Sequence, residues 1–350
     1  MHALKRFGTA FGGYKMMENY PVPECGPDDI ILEIKAAAIC GADMKHWGVD
    51  NGYDDTNITP DQQQSVRGHE FAGEIVKVGE NVKDWHIGQR VVSDNSAHVC
   101  GVCPACEQGD FLCCEHKVNL GLDNNTWGGG FSKYCKVPGE ILAIHKHAIW
   151  EIPEGIKYEE ACVLDPICNA YKAVAQQSHL IPGQDVVVFG TGPLGLFSVQ
   201  VAKLMGAVNI VMVGLDDDVK VRFGVAKELG ATHCVNGSKE DVVARCTEIC
   251  GRDNLGLVIE CSGANIALKQ AIEMTRPNAE IVRVGMGFKP LEFSINDITA
   301  WNKSIIGHMA YDSTSWRNCI RLLQSGQIKV QPMITHRLGL SQWQEGFDKM

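Results

Sequence analysis

Apolar residues are spaced in two different ways along this chain. Up to about residue 155 they come in short runs bounded by turn residues. Ile30-Ile-Leu-Glu-Ile-Lys35, Gly73-Glu-Ile-Val-Lys-Val-Gly79 and Gly88-Gln-Arg-Val-Val92 are the clearest, and they predict strands of a β-rich region. From about Tyr158 the rhythm changes. A helical stretch over 161–176 leads to Pro182-Gly183, and strands over 185–189, 209–213, 234–235, 257–261 and 280–284 then alternate with helices over 194–205, 219–229, 241–250 and 266–276. Regular βα alternation predicts an α/β fold, with a parallel, doubly wound sheet covered by helices on both faces. The tail from about Ser304 predicts one more strand and a helix over 316–324, and is expected to return to the first region. No repeat or low-complexity tract interrupts this order.

The bulk numbers narrow the class. A chain of 350 residues accommodates two domains. Its formal net charge of -10 repels phosphate backbones, which argues against nucleic acid as a partner. No run approaches the ~18 unbroken apolar residues of a membrane helix. The stretch over 186–214 comes nearest, but glycines, Pro193 and Lys203 interrupt it. Met1-His-Ala-Leu-Lys-Arg-Phe-Gly8 contains no long apolar core of a signal peptide. Fifteen cysteines, an odd number, fit a reducing cytoplasm in which thiols serve metal or packing.

Four of those cysteines carry a definite pattern. Cys100, Cys103, Cys106 and Cys114 follow C-x2-C-x2-C-x7-C spacing. Short steps wrap the backbone round one ion and the longer step seals the fourth corner, as a tetrahedral zinc site requires. A closed four-thiolate site leaves no position for substrate, so it reads as structural. Two disulfides or free core thiols are the alternative, and Cys113 competes with Cys114 for the fourth place.

A second pattern sits at the first βα turn. Val186-Val-Val-Phe189 runs into Gly190-Thr191-Gly192-Pro193-Leu194-Gly195, a G-x-G-x-x-G between a buried strand and a helix. Gly190 permits the tight turn, Gly192 lets the backbone approach a pyrophosphate, and Gly195 allows close helix–strand packing. Pro193 suits a first helical turn, and the helix N-terminus offers free N–H groups to the phosphates. Alone the motif is weak, but between a strand and a helix it predicts a dinucleotide site. The acidic residue that holds the adenosine ribose normally closes the second strand, where this chain has Gly214. Asp216, Asp217 and Asp218 follow and would repel a 2′-phosphate, favouring NAD with Asp216 as the ribose contact. Lys220 and Arg222 keep NADP open.

Cys40-Gly-Ala-Asp43-Met-Lys45-His46-Trp47, Gly68-His69-Glu70-Phe-Ala-Gly73 and Leu164-Asp165-Pro166-Ile-Cys168-Asn169-Ala170 contain further metal-capable groups, which spacing alone does not assemble. With the G-H-E-x2-G-x5-G-x2-V signature at 68–82, the four-cysteine lobe and the cofactor fingerprint, the chain resembles, nearly end to end, the zinc-containing medium-chain dehydrogenase/reductase family, close to its sorbitol (polyol) and threonine dehydrogenase branches. The resemblance implies a GroES-like catalytic domain over 1–157 with a zinc lobe at about 94–116, a Rossmann domain over 158–303, and a return over 304–350. It also implies a catalytic zinc, hence two zinc ions per chain. Cys40 and His69 match zinc ligands, and Asp165 matches a third ligand position of variable type. Glu70 matches a residue that binds the zinc directly or stands just behind it. Asp43 matches the carboxylate that orients the ligand histidine, because such carboxylates fix an imidazole tautomer.

The implied chemistry is oxidation of a secondary hydroxyl of a polyol or sugar alcohol, or reduction of the matching ketose, with hydride transfer to NAD. The family's proton relay is broken here. Its hydroxyl and histidine positions hold Ala42 and Lys45, with His46 one place out of register, so the proton leaves through Lys45, Glu70, a water chain or the cofactor ribose. Trp47, Tyr53, Phe111 and Asn169 are candidate pocket residues. Asn169-Ala170 resembles threonine dehydrogenase, whereas the Trp47 context and Lys45 resemble polyol branches. L-threonine 3-dehydrogenase or a simple secondary-alcohol dehydrogenase is the alternative reading, and a zinc-ribbon binding module the remote one. The resemblance also implies a homo-oligomer, tetramer favoured over dimer, pairing a sheet edge at about 280–306. Relatives of this family continue past the position of Gly346-Phe-Asp-Lys-Met350 through a helix into a final strand, so the expectation is either further residues there or a different closure of the fold.

Overall fold

The computed structural model describes residues 1–6, 13–47, 65–123, 126–287 and 289–350; Tyr53 and the side chains of Lys45 and His46 lie outside the described residues. The chain divides into two compact units, one of residues 1–165 with 334–350, the other of 166–333.

In the first unit β1 (Ala3–Arg6) and β2 (Tyr14–Met17) form a hairpin ladder. β3 (Ile30–Ala38), β4 (Glu70–Val78), β5 (Arg90–Ser93), β8 (Tyr134–Val137) and β9 (Ile149–Glu151) form an antiparallel sheet in the order β8-β3-β4-β5-β9. Two short strands, β6 (Ser96–His98) and β7 (Val118–Asn119), pair beside the cysteine lobe. The core under this sheet contains Ile30, Leu32, Phe71, Ile75, Val91, Cys135 and Ile149, all essentially inaccessible.

In the second unit β10 (Val186–Phe189), β11 (Ile210–Gly214), β12 (His233–Asn236), β13 (Leu257–Glu260), β14 (Glu280–Arg283) and β15 (Ser304–Gly307) are all parallel, in the order β12-β11-β10-β13-β14-β15. That is the 3-2-1-4-5-6 order of a doubly wound dinucleotide fold, whose ligand crevice lies where the order reverses, at the carboxyl end of β10. Every residue of β10, β11 and β13 is buried, as helices on both faces demand.

The structure moves the limits read from the sequence from 157/158 to 165/166 and from 303/304 to 333/334. β15 does not leave the sheet; it hydrogen-bonds to β14 as the sixth strand, and the Ser313–Gln324 helix buries Trp316 and Cys319 in the same unit. The strand expected from about Ser304 is present, but Ser-Ile-Ile-Gly is short and largely exposed, so its pattern does not show which sheet it joins. The helix expected over 219–229 begins only at Arg222, because the three aspartates form a separate 3-10 turn. The stretch over 161–176 is two short helices followed by a π-helical segment, Lys172–Gln177.

That segment presents a buried Lys172 and a polar cluster to the end of β15. His308 Nδ1 lies 2.6 Å from Gln177 Oε1 and Nε2 lies 3.2 Å from Asn169 Oδ1. Burial, then the Lys172 charge, hold His308 down to about 4, so it is neutral in the folded protein. The unfolded chain takes up a proton near pH 6.5. Stability is therefore full above about 6.5 and falls as the pH drops from there toward 4, where the unfolded state binds the extra proton. His308→Gln, measured by Tm against pH, is expected to flatten part of the decline between pH 6.5 and 4.5. A slope identical to the parent protein contradicts this.

Candidate active site

The β3–β4 ladder builds the centre. Ala38 at the end of β3 pairs with Glu70 at the start of β4, so Cys40, two residues on, meets His69 and Glu70 although some thirty positions separate them. The chain then turns into the Gly41–Trp47 helix. The Cys40 carbonyl accepts from the Asp43 and Met44 N–H groups at 3.0 and 3.3 Å, and Asp43 Oδ2 accepts from the Cys40 N–H at 3.0 Å. This reciprocal cap fixes both residues. On the other side Gly68 has φ +90°, and a Cβ there would lie 2.7 Å from the Phe131 ring, so only glycine brings His69 into place.

One ligand atom from each of Cys40, His69 and Glu70 lies within 4.8 Å of the others. Asp43 is fully buried; its Oδ1 lies 3.8 Å from His69 Nδ1, and neither atom has a hydrogen-bond partner. Two orphaned polar atoms facing each other suit an imidazole whose Nδ1–H turns to Asp43 and leaves Nε2 for a metal. Burial pushes the Cys40 thiol up to about 11, Glu70 adding to the effect. Burial also pushes Glu70 up to about 8, with Asp165 the next cause. Burial alone would pull His69 down, but the charges of Cys40 and Asp43 outweigh it and hold it well above its ordinary value. Three ligands driven away from their ligating protonation states by one another and by desolvation are what a divalent cation relieves. The donor set fits a catalytic zinc with an open position.

Asp165 is not one of the three converging residues. It opens the Leu164–Tyr171 helix, and its Oδ2 accepts from Asn95 Nδ2 at 3.1 Å. It is close enough to raise Glu70 by its charge, and the group whose ligand atoms converge is Cys40, His69 and Glu70.

The cysteine lobe brings Cys100, Cys103, Cys106 and Cys114 together with their sulfurs within 4.8 Å, whereas Cys113 is exposed and points elsewhere. All fifteen cysteines are free of disulfides. The Val102 N–H, with help from Cys103, draws the Cys100 thiol down to about 6, while burial raises Cys106. Four converging sulfurs that cannot all ionise unaided fit a structural zinc.

In the second unit Gly190 has φ +93°, and a Cβ on Gly195 would lie 1.8 Å from the Gly190 carbonyl, so both glycines are obligatory. Gly192 caps the Pro193–Leu204 helix with Pro193 in its first turn, and a Cβ on Gly192 would meet nothing within 4 Å. Asp218, rather than Asp216, reaches this turn. Thr191 Oγ1 donates to Asp218 Oδ1 at 2.6 Å, and the Leu215 N–H donates to Asp218 Oδ2 at 2.7 Å. Asp216 instead accepts from Asn236 at 2.8 Å and pairs with Lys239 at 3.3 Å, which together pull its carboxyl down. Behind the turn, buried Glu260 binds Arg283 at 3.0 Å and accepts from the Ser262 and Gly263 N–H groups at 2.7 and 3.0 Å, holding the loop that packs on Gly190.

Two candidate pocket residues, both half-buried, pack against the core clusters of the first unit. Trp47 packs on Tyr14, Trp343 and Phe347 with ring centroids 5.8, 5.1 and 5.5 Å away, and Phe111 stacks on His145 at 4.1 Å. Sequence reasoning missed Asn95, whose Asp94-Asn95 dipeptide is a turn signal. It named Asp218 among the three aspartates but assigned the ribose contact to Asp216, whereas Asp218 is the one that hydrogen-bonds Thr191.

Comparison with known proteins agrees with this geometry. Residues 26–147 match the alcohol dehydrogenase GroES-like domain, and residues 193–325 match the zinc-binding dehydrogenase domain. The chain is 78% identical over its whole length, and 96% of the relative, to the uncharacterized zinc-type alcohol dehydrogenase-like protein YdjL of Escherichia coli K12. It is 31% identical to D-arabitol-phosphate dehydrogenase of Enterococcus avium, covering 97% and 92% of the two chains. The crystal structure of 2R,3R-butanediol dehydrogenase from Bacillus subtilis superposes with a TM-score of 0.83 at 29% identity, over 99% and 95% of the chains. A GroES-like β-rich unit carrying a Cys40–His69–Glu70 cluster, joined to a Rossmann unit, places this chain in the zinc-containing medium-chain dehydrogenase/reductase family, on its polyol and threonine dehydrogenase side.

Proposed function

We propose that the chain oxidises a secondary hydroxyl of a polyol, sugar alcohol or small diol with NAD as the hydride acceptor, or reduces the matching ketose with NADH as the hydride donor. The observation that carries this reading is the convergence of Cys40, His69 and Glu70 in a chain whose other unit presents G-x-G-x-x-G at the end of β10. Cys40, His69 and Glu70 would hold the catalytic zinc, with Asp165 behind them, and Cys100, Cys103, Cys106 and Cys114 the structural one. Zinc, when bound, supplies the charge that stabilises an alkoxide, and the nicotinamide accepts its hydride. The chain's own residues do the rest. Asp43 orients His69. Gly190, Thr191, Gly192, Pro193, Leu194 and Gly195 receive the pyrophosphate. Asp218 stands where a 2′-phosphate would be repelled, which favours NAD over NADP. Ala42 cannot pass a proton on, so Lys45, at the family's relay position, takes that role.

The edge strand β15 with exposed Ile305, beside exposed Ile295 and Trp301, supports a homo-oligomer paired through this edge, tetramer over dimer. Among the described residues no helix is long and apolar enough to cross a membrane. The net charge of -10 disfavours nucleic acid, and a cytoplasmic site is consistent with fifteen unpaired thiols. L-threonine or a simple secondary alcohol is the second reading, favoured by Asn169, which hydrogen-bonds His308.

Incubation with NAD and a panel of polyols, their monophosphates, vicinal diols, threonine and simple alcohols tests the proposal. Reduction with a polyol or diol is expected. No NAD binding and no reduction with any alcohol overturns it, and reduction with threonine alone selects the second reading. Metal analysis is expected to give two zinc ions per chain. Cys40→Ala should keep one and lose turnover while remaining folded, whereas Cys103→Ala should lower Tm by about 5 °C or more through loss of the lobe zinc. kcat/KM should be higher with NAD than NADP, and Asp218→Ala should shrink that ratio about tenfold. Lys45→Ala should lower kcat and shift the pH–rate profile; an unchanged profile removes Lys45 from the proton path.

A further inference from the structure

Asn95 is a non-glycine residue with φ +62°, buried to 3% exposure in the two-residue turn between β5 and β6. Left-handed backbone is costly for a residue with a Cβ, and asparagine tolerates it better than most. Glycine would tolerate it best, so the conformation does not by itself call for asparagine. The amide has a destination: Nδ2 donates to Asp165 Oδ2 at 3.1 Å, across seventy positions of sequence. Neither a carboxylate nor an apolar side chain in that place would donate to Asp165, and a carboxylate would repel it.

The turn is clamped on every side. The Asn95 N–H donates to Ser93 Oγ at 3.0 Å, and the Ser96 N–H donates to Asp94 Oδ1 at 2.9 Å. The Asn95 carbonyl accepts from the Leu120 N–H at 2.6 Å, and the Asp94 N–H donates to the Ala148 carbonyl at 3.0 Å. Asp94 Oδ2 lies 2.5 Å from His145 Nε2, both residues buried, and His145 stacks on Phe111 of the cysteine lobe. A rigid turn anchored to the lobe therefore holds one oxygen of Asp165. Asp165, half-buried, lies in turn within electrostatic reach of the buried Glu70.

We infer that Asn95 is a positioning residue: its buried amide, presented by a left-handed turn clamped to the cysteine lobe, sets the Asp165 carboxylate behind the Cys40, His69 and Glu70 cluster. The inference rests on the reading of that cluster as the exchangeable zinc centre. It gives the lobe a second task, since the lobe also holds the turn that holds Asp165.

The test uses the full chain with zinc retained in the lobe and zinc or Co2+ titrated into the second site against a chelator. Asn95→Gly keeps the backbone conformation and removes the amide; Asn95→Asp keeps the shape and reverses the polarity. Both are expected to retain the lobe zinc, to bind the exchangeable zinc about tenfold or more weakly, and to shift the Co2+ visible spectrum. In an Asp165→Ala background Asn95→Gly should cost nothing further. Asn95→Gly with parental affinity and spectrum overturns the assignment, as does an equal loss with Asp165 already removed. A parent chain that binds one zinc only overturns the metal reading itself; two zinc ions in the parent with an unaffected Asn95→Gly overturn only the role of Asn95.

Discussion

The antiparallel pairing of β3 with β4 is the constraint on which the rest of the site depends. It sets Ala38 opposite Glu70, and everything beyond that rung, Cys40 on one side and His69 on the other, is held at ligand distance by backbone hydrogen bonds. Those bonds allow a thiol, an imidazole and a carboxyl to be gathered where water is excluded. Their mutual repulsion and desolvation would otherwise favour opening. The Asp43 cap on Cys40 and the glycine at 68 are the local conditions of the same arrangement. A metal charge at this point would convert a costly cluster into a stabilising one and so couple the proposed centre to the fold.

The two units contribute different kinds of rigidity. In the first, function sits where strands end and turns begin, and buried polar contacts such as Asp94 with His145 keep the turns in one state. In the second, the central strands β10, β11 and β13 are buried throughout, and the glycines that allow close backbone approach follow the carboxyl end of β10. Glu260 and Arg283 show how a buried ion pair serves here. Its role is to hold the Ser262-Gly263 loop against Gly190 rather than to add net stability.

The parts of this structure that were legible in the sequence are those with a local signature. The β10 turn, the four cysteines and the alternation of strands and helices are written in contiguous residues, and the structure follows them closely. The ligand cluster was not legible from spacing, because Cys40, His69 and Glu70 meet through a ladder whose register no local pattern specifies; resemblance supplied it. The strand at β15 was expected, but its sheet was not, because a largely exposed edge strand of four residues lacks the buried run that marks the other strands of the parallel sheet. Which of the three aspartates reaches the glycine turn was not legible, because they share one 3-10 turn after Gly214 and only its fold turns Asp218 to Thr191. Trp47 and Phe111 looked like pocket residues because aromatic side chains near a motif are not distinguishable from core without their neighbours.

Anomalous diffraction at the zinc edge from crystals of the zinc-loaded protein tests the central claim most directly. The account predicts two peaks per chain, one enclosed by the sulfurs of Cys100, Cys103, Cys106 and Cys114 and one bounded by Cys40, His69 and Glu70. A single peak in the cysteine lobe, with Cys40, His69 and Glu70 packed together without metal, would contradict it.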